Sequence, residues 1–322
     1  MEYSITNLAV DNIGENVYVK AFAEGVETEQ RKRLPLVSVL LASYNHEKFV
    51  EASIRSVMAQ KGVDFELIVV DDGSSDQSPQ IIERLQLELG FTYVHRPNKG
   101  FITTMNELLS YAHGKYFCTF ASDDIMPKDR LYKQSKFLSS HPDKVACFGQ
   151  IQNMSHDGKI DPEKVPLYLR NFPEVKFEEI FVSDKALHGC SEMFVTEVVR
   201  SLGGYDTRFY FEDMPLYFAL LSKYGPQPVS KDFVCCYYRE HGSNMHGNYD
   251  KMYREILRLL EVYRSHSLYG YACKRWKARW FSTLAYQDKR MAFKMLPELA
   301  SFTPAFIKRL PKLLIPKCFL KC

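Results

Sequence analysis

No uncharged apolar run in this 322-residue chain reaches the roughly 18 residues that mark a membrane-spanning helix. The N-terminus lacks the charged start, apolar stretch and small-residue cleavage site of a secretory leader, so none is expected. Disulfide and zinc frameworks are missing as well. The eight cysteines (118, 147, 190, 235, 236, 273, 318 and 322) are irregularly spaced, and no Cys-x-x-Cys pair occurs. The C-terminal Cys318-Phe-Leu-Lys-Cys322 lacks the prenylation pattern. These absences point to a cytosolic protein with reduced, inert thiols. Internal repeats and low-complexity tracts are also lacking. The net charge is only +3, so overall charge excludes little, but its distribution is uneven. From Arg264 onward the chain has 13 Lys and Arg against Asp288 and Glu298 alone, which leaves residues 1–263 acidic. A basic tail on an acidic body is suited to an anionic surface.

An apolar share of 46% is enough for one large core with appendages. Residues 1–33, ending in Glu29-Gln-Arg-Lys-Arg33, read as an appended arm. Leu36-Val-Ser-Val-Leu-Leu-Ala42 is a continuous, β-branched apolar run, as expected of a strand buried on both faces of a parallel sheet. Further strands are expected at 65–70, 92–95 and 116–120, with helices over 47–60, 78–89 and 102–112 between them. This alternation predicts an α/β fold, a mostly parallel sheet flanked by helices. Ligands of such sheets bind beyond the carboxyl ends of the strands, near the point where strand order reverses. The loops expected there, 43–47, 71–76 and 121–124, are all polar. Beyond about residue 150 the rhythm changes, with strands expected at 187–194 and 233–238 and a helix at 214–223. From Asn248 the pattern is helical, including a stretch near 269–295. The expected units are the arm 1–33, a catalytic domain 34–245 (halves 34–125 and 126–245) and a basic helical region 246–322.

Two acidic loops carry the chemistry. Asp123 and Asp124 follow directly on an apolar strand. Adjacent carboxylates repel in a low-dielectric site unless a cation offsets them, and Mg²⁺ or Mn²⁺ shared with substrate phosphates is a common solution. The alternative is capping of a helix starting near Pro127-Lys-Asp-Arg130. Asp71-Asp72-Gly73-Ser74 follows a second buried strand and suits either a turn or a carboxylate facing a nucleotide.

Val39-Leu-Leu-Ala-Ser-Tyr-Asn45, Ile68-Val-Val-Asp-Asp-Gly-Ser-Ser-Asp76, Asn98-Lys-Gly100, Phe120-Ala-Ser-Asp-Asp124, Gly203-Gly-Tyr-Asp206, Phe211-Glu-Asp213 and Tyr238-Arg-Glu-His241 occur in that order. Over roughly residues 35–245 the chain thereby resembles the inverting family 2 glycosyltransferases of the Rossmann-like GT-A fold. The resemblance implies a nucleotide-diphospho-sugar donor, a UDP-sugar first among them, and a Mn²⁺ or Mg²⁺ cofactor. It places Ala42, Ser43, Tyr44 and Glu47 near the base, Asp72 in contact with the base, and Ser122 beside the nucleotide. Asp123 then serves the ribose or metal, and Asp124 is the principal metal ligand. Lys99 is implied near the diphosphate, the alternative being a solvated lysine, and Gly100 beside the nucleotide. Asn106 matches the family's Ala-Arg-Asn, although Thr104-Met105 replaces its first two residues. Asp213 is implied as the base that takes the acceptor hydroxyl's proton, with Glu212 positioning the acceptor; a plain helix N-terminus is the alternative for both. His241 and Arg239 are implied near the metal or diphosphate, and His188 and Cys190 near the acceptor.

Trp276, Trp280 and Phe281 lie among Lys274, Arg275, Lys277 and Arg279, and the tail 301–322 has five Lys/Arg and no acid. Such segments suit an interfacial membrane element, the alternative being helices packed on the core. No nucleic-acid-binding module is recognisable. The resemblance thus implies a glycan or lipid-linked glycan acceptor in bacterial surface-polysaccharide assembly, such as O-antigen or capsule. The setting would be the inner face of the cell membrane, with the enzyme bound peripherally. Processive synthesis is not expected, because neither export-channel helices nor a QxxRW-like motif is present. Nucleotidyl transfer would call for a Gly-rich basic loop where Ser43-Tyr-Asn-His-Glu47 stands. A non-catalytic sugar-nucleotide-binding subunit would be expected to lose Asp124 or Asp213.

Overall fold

The structure, a computed structural model, describes residues 35–160, 173–240, 249–301 and 303–315. The expected arm 1–33 and His241 lie outside the described residues.

Strand β1 (Val37–Ser43) is buried along almost its whole length and pairs in parallel with β2 (Phe65–Asp71) on one side and β4 (Tyr116–Ala121) on the other. Strand β3 (Thr92–His95) extends the parallel set beyond β2. Helices α1 (Val50–Met58), α2 (Ser78–Leu89) and α3 (Phe101–Tyr111) make the crossovers. After α4 (Arg130–Ser140) come β5 (Ala146–Met154), β6 (Glu174–Val175), α5 (Phe177–Phe181), β7 (Glu192–Val195), α6 (Thr196–Ser201), α7 (Asp213–Tyr224) and the long β8 (Gln227–Arg239). The eight-stranded sheet has the order β3-β2-β1-β4-β7-β5-β8-β6, with β7 antiparallel to both its neighbours and β6 antiparallel to β8.

Strand order reverses between β1 and β4. In register, Ser43 stands opposite Asp71 and Ala42 opposite Ala121, so the three polar loops leave the sheet side by side. The period-2 alternation of β1 divides the core. Val37, Val39 and Leu41 pack with Val50, Ile54 and Val57 of α1, Ile82 and Leu85 of α2, and Leu131 and Leu138 of α4. Leu40 faces the opposite layer with α3, Phe181 and the α7 residues Leu216, Tyr217 and Phe218.

Several element boundaries shift, each for a local reason. Helix α1 starts at Val50 instead of Glu47, because the His46 carbonyl closes a turn by accepting from the N–H groups of Phe49 and Val50. The strand expected over 187–194 shortens to β7. Its first part is a 3₁₀ turn at Gly189–Ser191, held by the Ser191 N–H and hydroxyl, which both donate to the His188 carbonyl. The helical stretch near 269–295 breaks at Asp288, which leaves helical geometry and accepts the Met291 N–H at 3.0 Å, capping a new helix.

Helices α8 (Tyr249–Val262) and α9 (Tyr269–Gln287) add Ile256, Leu259, Leu260, Ala272 and Trp276 to the main core. The Trp276 indole donates to the Phe181 carbonyl at 2.8 Å. Arg275 pairs with Asp184, and Arg279 donates to the Ser183 hydroxyl at 2.9 Å. Of the aromatic part expected at a membrane interface, Trp276 is buried in the main core and Phe281 among the C-terminal helices, which removes their apolar surface from water. A small satellite core joins α9 to α10 (Lys289–Lys294), α11 (Leu296–Leu299) and α12 (Pro304–Ile307). No helix among the described residues is long and apolar enough to cross a membrane.

Candidate active site

The loop after β1 is tied to the loop after β2. The Ser43 carbonyl accepts the Asp72 N–H at 2.8 Å, and Asn45 Oδ1 accepts the Ser75 N–H at 2.8 Å. Ser43 Oγ is buried and has no hydrogen-bond partner among the described residues. Ala42 is half-buried and Tyr44 is 50% exposed. Glu47, expected at the base, accepts the Gln77 N–H at 2.9 Å through one carboxylate oxygen. Its carboxylate closes the start of α2, whose first N–H groups need acceptors.

Asp72 is almost fully buried. Its Oδ1 accepts the Lys99 N–H at 2.8 Å and pairs with the Arg96 guanidinium, while Oδ2 has no donor among the described residues. Arg96 is a residue the sequence reading missed. It is 3% exposed, and it also donates to Glu107 at 2.9 Å and Thr104 at 2.8 Å. Met105 is in the core, so the cation beside Asp72 comes from the end of β3 and not from α3. A lone Arg before Pro97 carries no local signal for this. The Lys99 side chain is exposed, and Gly100 has φ +88° at the start of α3.

Asn106, expected at the nucleotide, does other work. Its amide donates to the Tyr205 carbonyl and accepts the Tyr205 N–H, both at 2.8 Å, fixing the 203–206 loop. One backbone unit thus takes one bond from each polar atom of the amide. A Cβ on Gly204 would lie 2.5 Å from Asn106 Oδ1, and its φ of +76° excludes ordinary side chains.

At the end of β4, Ser122 is buried with Oγ 2.7 Å from His46 Nδ1, and Asp123 Oδ2 lies 3.8 Å from His46 Nε2. Neither Asp123 nor Asp124 caps the following helix, since Asp129 holds the cap position of α4. Asp124 is 1% exposed; its Oδ1 accepts the Arg239 N–H at 2.8 Å and its Oδ2 the Cys236 thiol at 3.2 Å. No cationic side chain among the described residues pairs with it. Burial, then Cys190 and Asp123, hold its carboxyl well above the usual range. Such a carboxylate stays charged only with a cation beside it, so the Asp123–Asp124 pair fits a divalent ion. The Arg239 side chain is turned to structural use: it donates to the carbonyls of Asp123 and His156 at 2.8 Å each and stacks over Phe49. Nε and Nη1 of the guanidinium thus join β8 to the loop after β4.

The 188–190 turn connects this end to the other acids. Thr119 Oγ1 donates to the Gly189 carbonyl at 3.1 Å, and a Cβ on Gly189 would touch Glu212 Oε1 at 3.4 Å and Asp213 Cβ at 3.9 Å. Cys190 Sγ lies 3.0 Å from His188 Nδ1. Burial opposes the His188 cation, but Cys190, Asp213 and Asp124 outweigh it and lift its pKa to about 9. Asp213 opens α7, with Oδ1 accepting the Met214 N–H at 2.6 Å. Burial and the neighbouring Asp213 push Glu212 up to about 8. Glu192, also unforeseen, sits deeper in β7. It accepts from Thr119 at 2.9 Å and from the Tyr217 hydroxyl, and burial holds its carboxyl well above the usual range.

The model of the family "Glycosyl transferase family 2" matches residues 38–202. TuaG of Bacillus subtilis (strain 168), described as a teichuronic acid biosynthesis glycosyltransferase, is 36% identical over 107 residues, 32% of this chain and 42% of its own length. Hyaluronan synthase of Pasteurella multocida is 25% identical over 184 residues, 56% of this chain and 18% of its own. The chain spans about two fifths of the length of the first curated relatives it matches. Among solved structures, S. aureus TarS 1–349 in complex with UDP-GlcNAc superposes with a TM-score of 0.61 at 18% identity, covering 86% of this chain and 80% of that one. The mannosyltransferase PcManGT from Pyrobaculum calidifontis, in complex with GDP-Man and Mn²⁺, gives 0.53 at 18%, covering 89% and 88%. These likenesses establish a GT-A-type fold. With more than half the chain matched by the family model, the protein belongs to glycosyl transferase family 2.

Proposed function

We propose that this chain transfers a sugar from a nucleotide-diphospho-sugar to a hydroxyl of a glycan or lipid-linked glycan, with inversion at the anomeric carbon. One observation carries this reading. The turn His188–Cys190 lies against Glu212–Asp213 through Gly189 and against Asp124 through Cys190, so two acidic pairs with different surroundings flank one turn. The structures in complex with UDP-GlcNAc and GDP-Man support a nucleotide-sugar as the donor class.

Asp72 Oδ2 and Ser43 Oγ, the atoms left without partners, receive the nucleoside. Asp123 and Asp124 would hold the divalent ion, which would supply positive charge to offset that of the leaving diphosphate. Asp213 accepts the proton of the acceptor hydroxyl as that oxygen attacks the anomeric carbon on the face opposite the leaving nucleoside diphosphate. Glu212, protonated over most of the neutral range, donates a hydrogen bond that holds the acceptor. The surface-polysaccharide setting rests on the likeness to TuaG. Association with the inner membrane face rests on the basic C-terminal region, where Phe293, Ile307 and Leu314 are exposed among Arg290, Lys294 and Lys308.

A screen of UDP-, GDP- and dTDP-sugars for hydrolysis and binding, with Mn²⁺ or Mg²⁺ and with excess chelator, tests the reading. Metal-dependent release of one nucleoside diphosphate is expected. Failure to bind or turn over any of them would overturn it, and full activity in chelator would remove the metal.

A further inference from the structure

The residues facing Asp124 are unusual for a site built around a hard ion. Asp124 Oδ, Cys190 Sγ and Cys236 Sγ all lie within 4.8 Å of one another, and all three residues are buried. The thiol of Cys236 is 3.2 Å from Asp124 Oδ2, and Cys190 is oriented by His188 Nδ1 at 3.0 Å. The three come from different strand ends. Asp124 follows β4, Cys190 precedes β7, and Cys236 belongs to β8. Sheet order places β7 and β8 on either side of β5, and the loop carrying Asp124 is tied to β8 by the Arg239 N–H at 2.8 Å and the Ile125–Tyr237 bridge.

We propose that Asp124, Cys190 and Cys236 form a binding site for a thiophilic divalent cation of the Zn²⁺ class. With Zn–S near 2.3 Å and Zn–O near 2.0–2.2 Å, tetrahedral ligand atoms stand about 3.3 to 3.8 Å apart, so the present spacing needs only small side-chain rotations. Three protein ligands leave the fourth position to water. Binding displaces the thiol protons to solvent. The resulting set of one carboxylate and two thiolates around a 2+ ion has net charge −1. Arg130 offsets it: this guanidinium is fully buried, its charge acts on both thiols, and its Nη1 has no hydrogen-bond partner among the described residues. A buried cation without a carboxylate partner is costly, and an anionic metal–thiolate cluster beside it removes that cost. Soft thiolates favour Zn²⁺ over Mg²⁺ or Mn²⁺ at this position. Asp124 cannot serve both ions, so Zn²⁺ would silence the transferase; this consequence alone rests on the function proposed above.

The test uses Co²⁺ as a spectroscopic substitute. Chelator-treated full chain, carrying C318S and C322S so that tail thiols cannot contribute, is titrated with Co²⁺ and then Zn²⁺. Thiolate-to-cobalt charge-transfer absorption with tetrahedral d–d bands, saturating at one equivalent and abolished by Zn²⁺, is expected. Losing even an outer partner of a metal ligand costs about 10–100-fold in affinity, so C190S and C236S should each lose at least that, while C147S, at a buried thiol outside the set, should not. A cobalt spectrum without the charge-transfer band overturns the proposal, as does unchanged affinity in a folded C190S or C236S. The wild-type cysteine pair is read directly by the band, so a variant that fails to fold leaves the test standing. Zn²⁺ should also abolish Mn²⁺-supported turnover, restored by chelation and Mn²⁺. Absence of turnover under every condition, with the cobalt band present, would count against the transferase reading and not against the site.

Discussion

The backbone N–H of Arg239 donates to Asp124 Oδ1 at 2.8 Å, so the last strand of the catalytic sheet grips the acid that follows its fourth. The Ile125–Tyr237 bridge continues the grip, and Arg239 Nε closes it on the Asp123 carbonyl. Through this contact the residues before 241 fix the direction in which the acidic pair points.

Replacing Asp213 by Asn removes the proposed proton acceptor while keeping its shape and its bond to the Met214 N–H. We expect kcat to fall about 10²–10⁴-fold with donor affinity nearly unchanged. Steady-state kinetics with calorimetric donor binding would check this, and a fully active D213N would overturn the assignment.

Glu212 has a folded pKa of about 8 against an ordinary 4.5. A carboxyl raised on folding lends stability that is complete below about pH 4.5 and is lost as pH rises through 8, because the native state holds the proton that the unfolded state has released. Glu212→Gln has no proton to lose. Its melting temperature should gain on the wild type between pH 4.5 and 8 and hold a constant lead above that, as thermal melts across pH would show.

Arg96 binds two carboxylates, Asp72 and Glu107, from a nearly inaccessible position. Arg96→Met leaves Asp72 buried without its cation, so about 3–5 kcal/mol of stability should be lost in denaturant titrations. Nucleotide affinity should fall with it, since Asp72 Oδ2 is aimed by the pairing at Oδ1.

Membrane association should depend on both charge and apolar contact. Binding to vesicles containing phosphatidylglycerol should exceed binding to phosphatidylcholine and weaken with salt. Phe293→Asp with Leu314→Asp should reduce it at least about tenfold, because each inserted side chain contributes about 1.5–3 kcal/mol. Equal sedimentation of wild type and variant would dismiss this surface.

Local patterns in the chain were enough to determine the parallel strands, the helices between them and the three polar loops at one sheet edge. Buried parallel strands read as continuous apolar runs, and turn residues mark where they end. The order of the motifs was enough for the family. Tertiary structure alone decided which polar atoms have partners. Nothing local says that Asn106 clasps Tyr205, that Glu47 closes α2, or that Arg96 faces Asp72. It also turned Trp276 and Phe281 inward from a segment whose composition suits a membrane surface. The cysteines show the limit most clearly. Cys190 and Cys236 are 46 positions apart and look inert along the chain. They meet at Asp124 only because β7 and β8 flank β5, a pairing set by long-range hydrogen bonds and burial that no sequence spacing encodes.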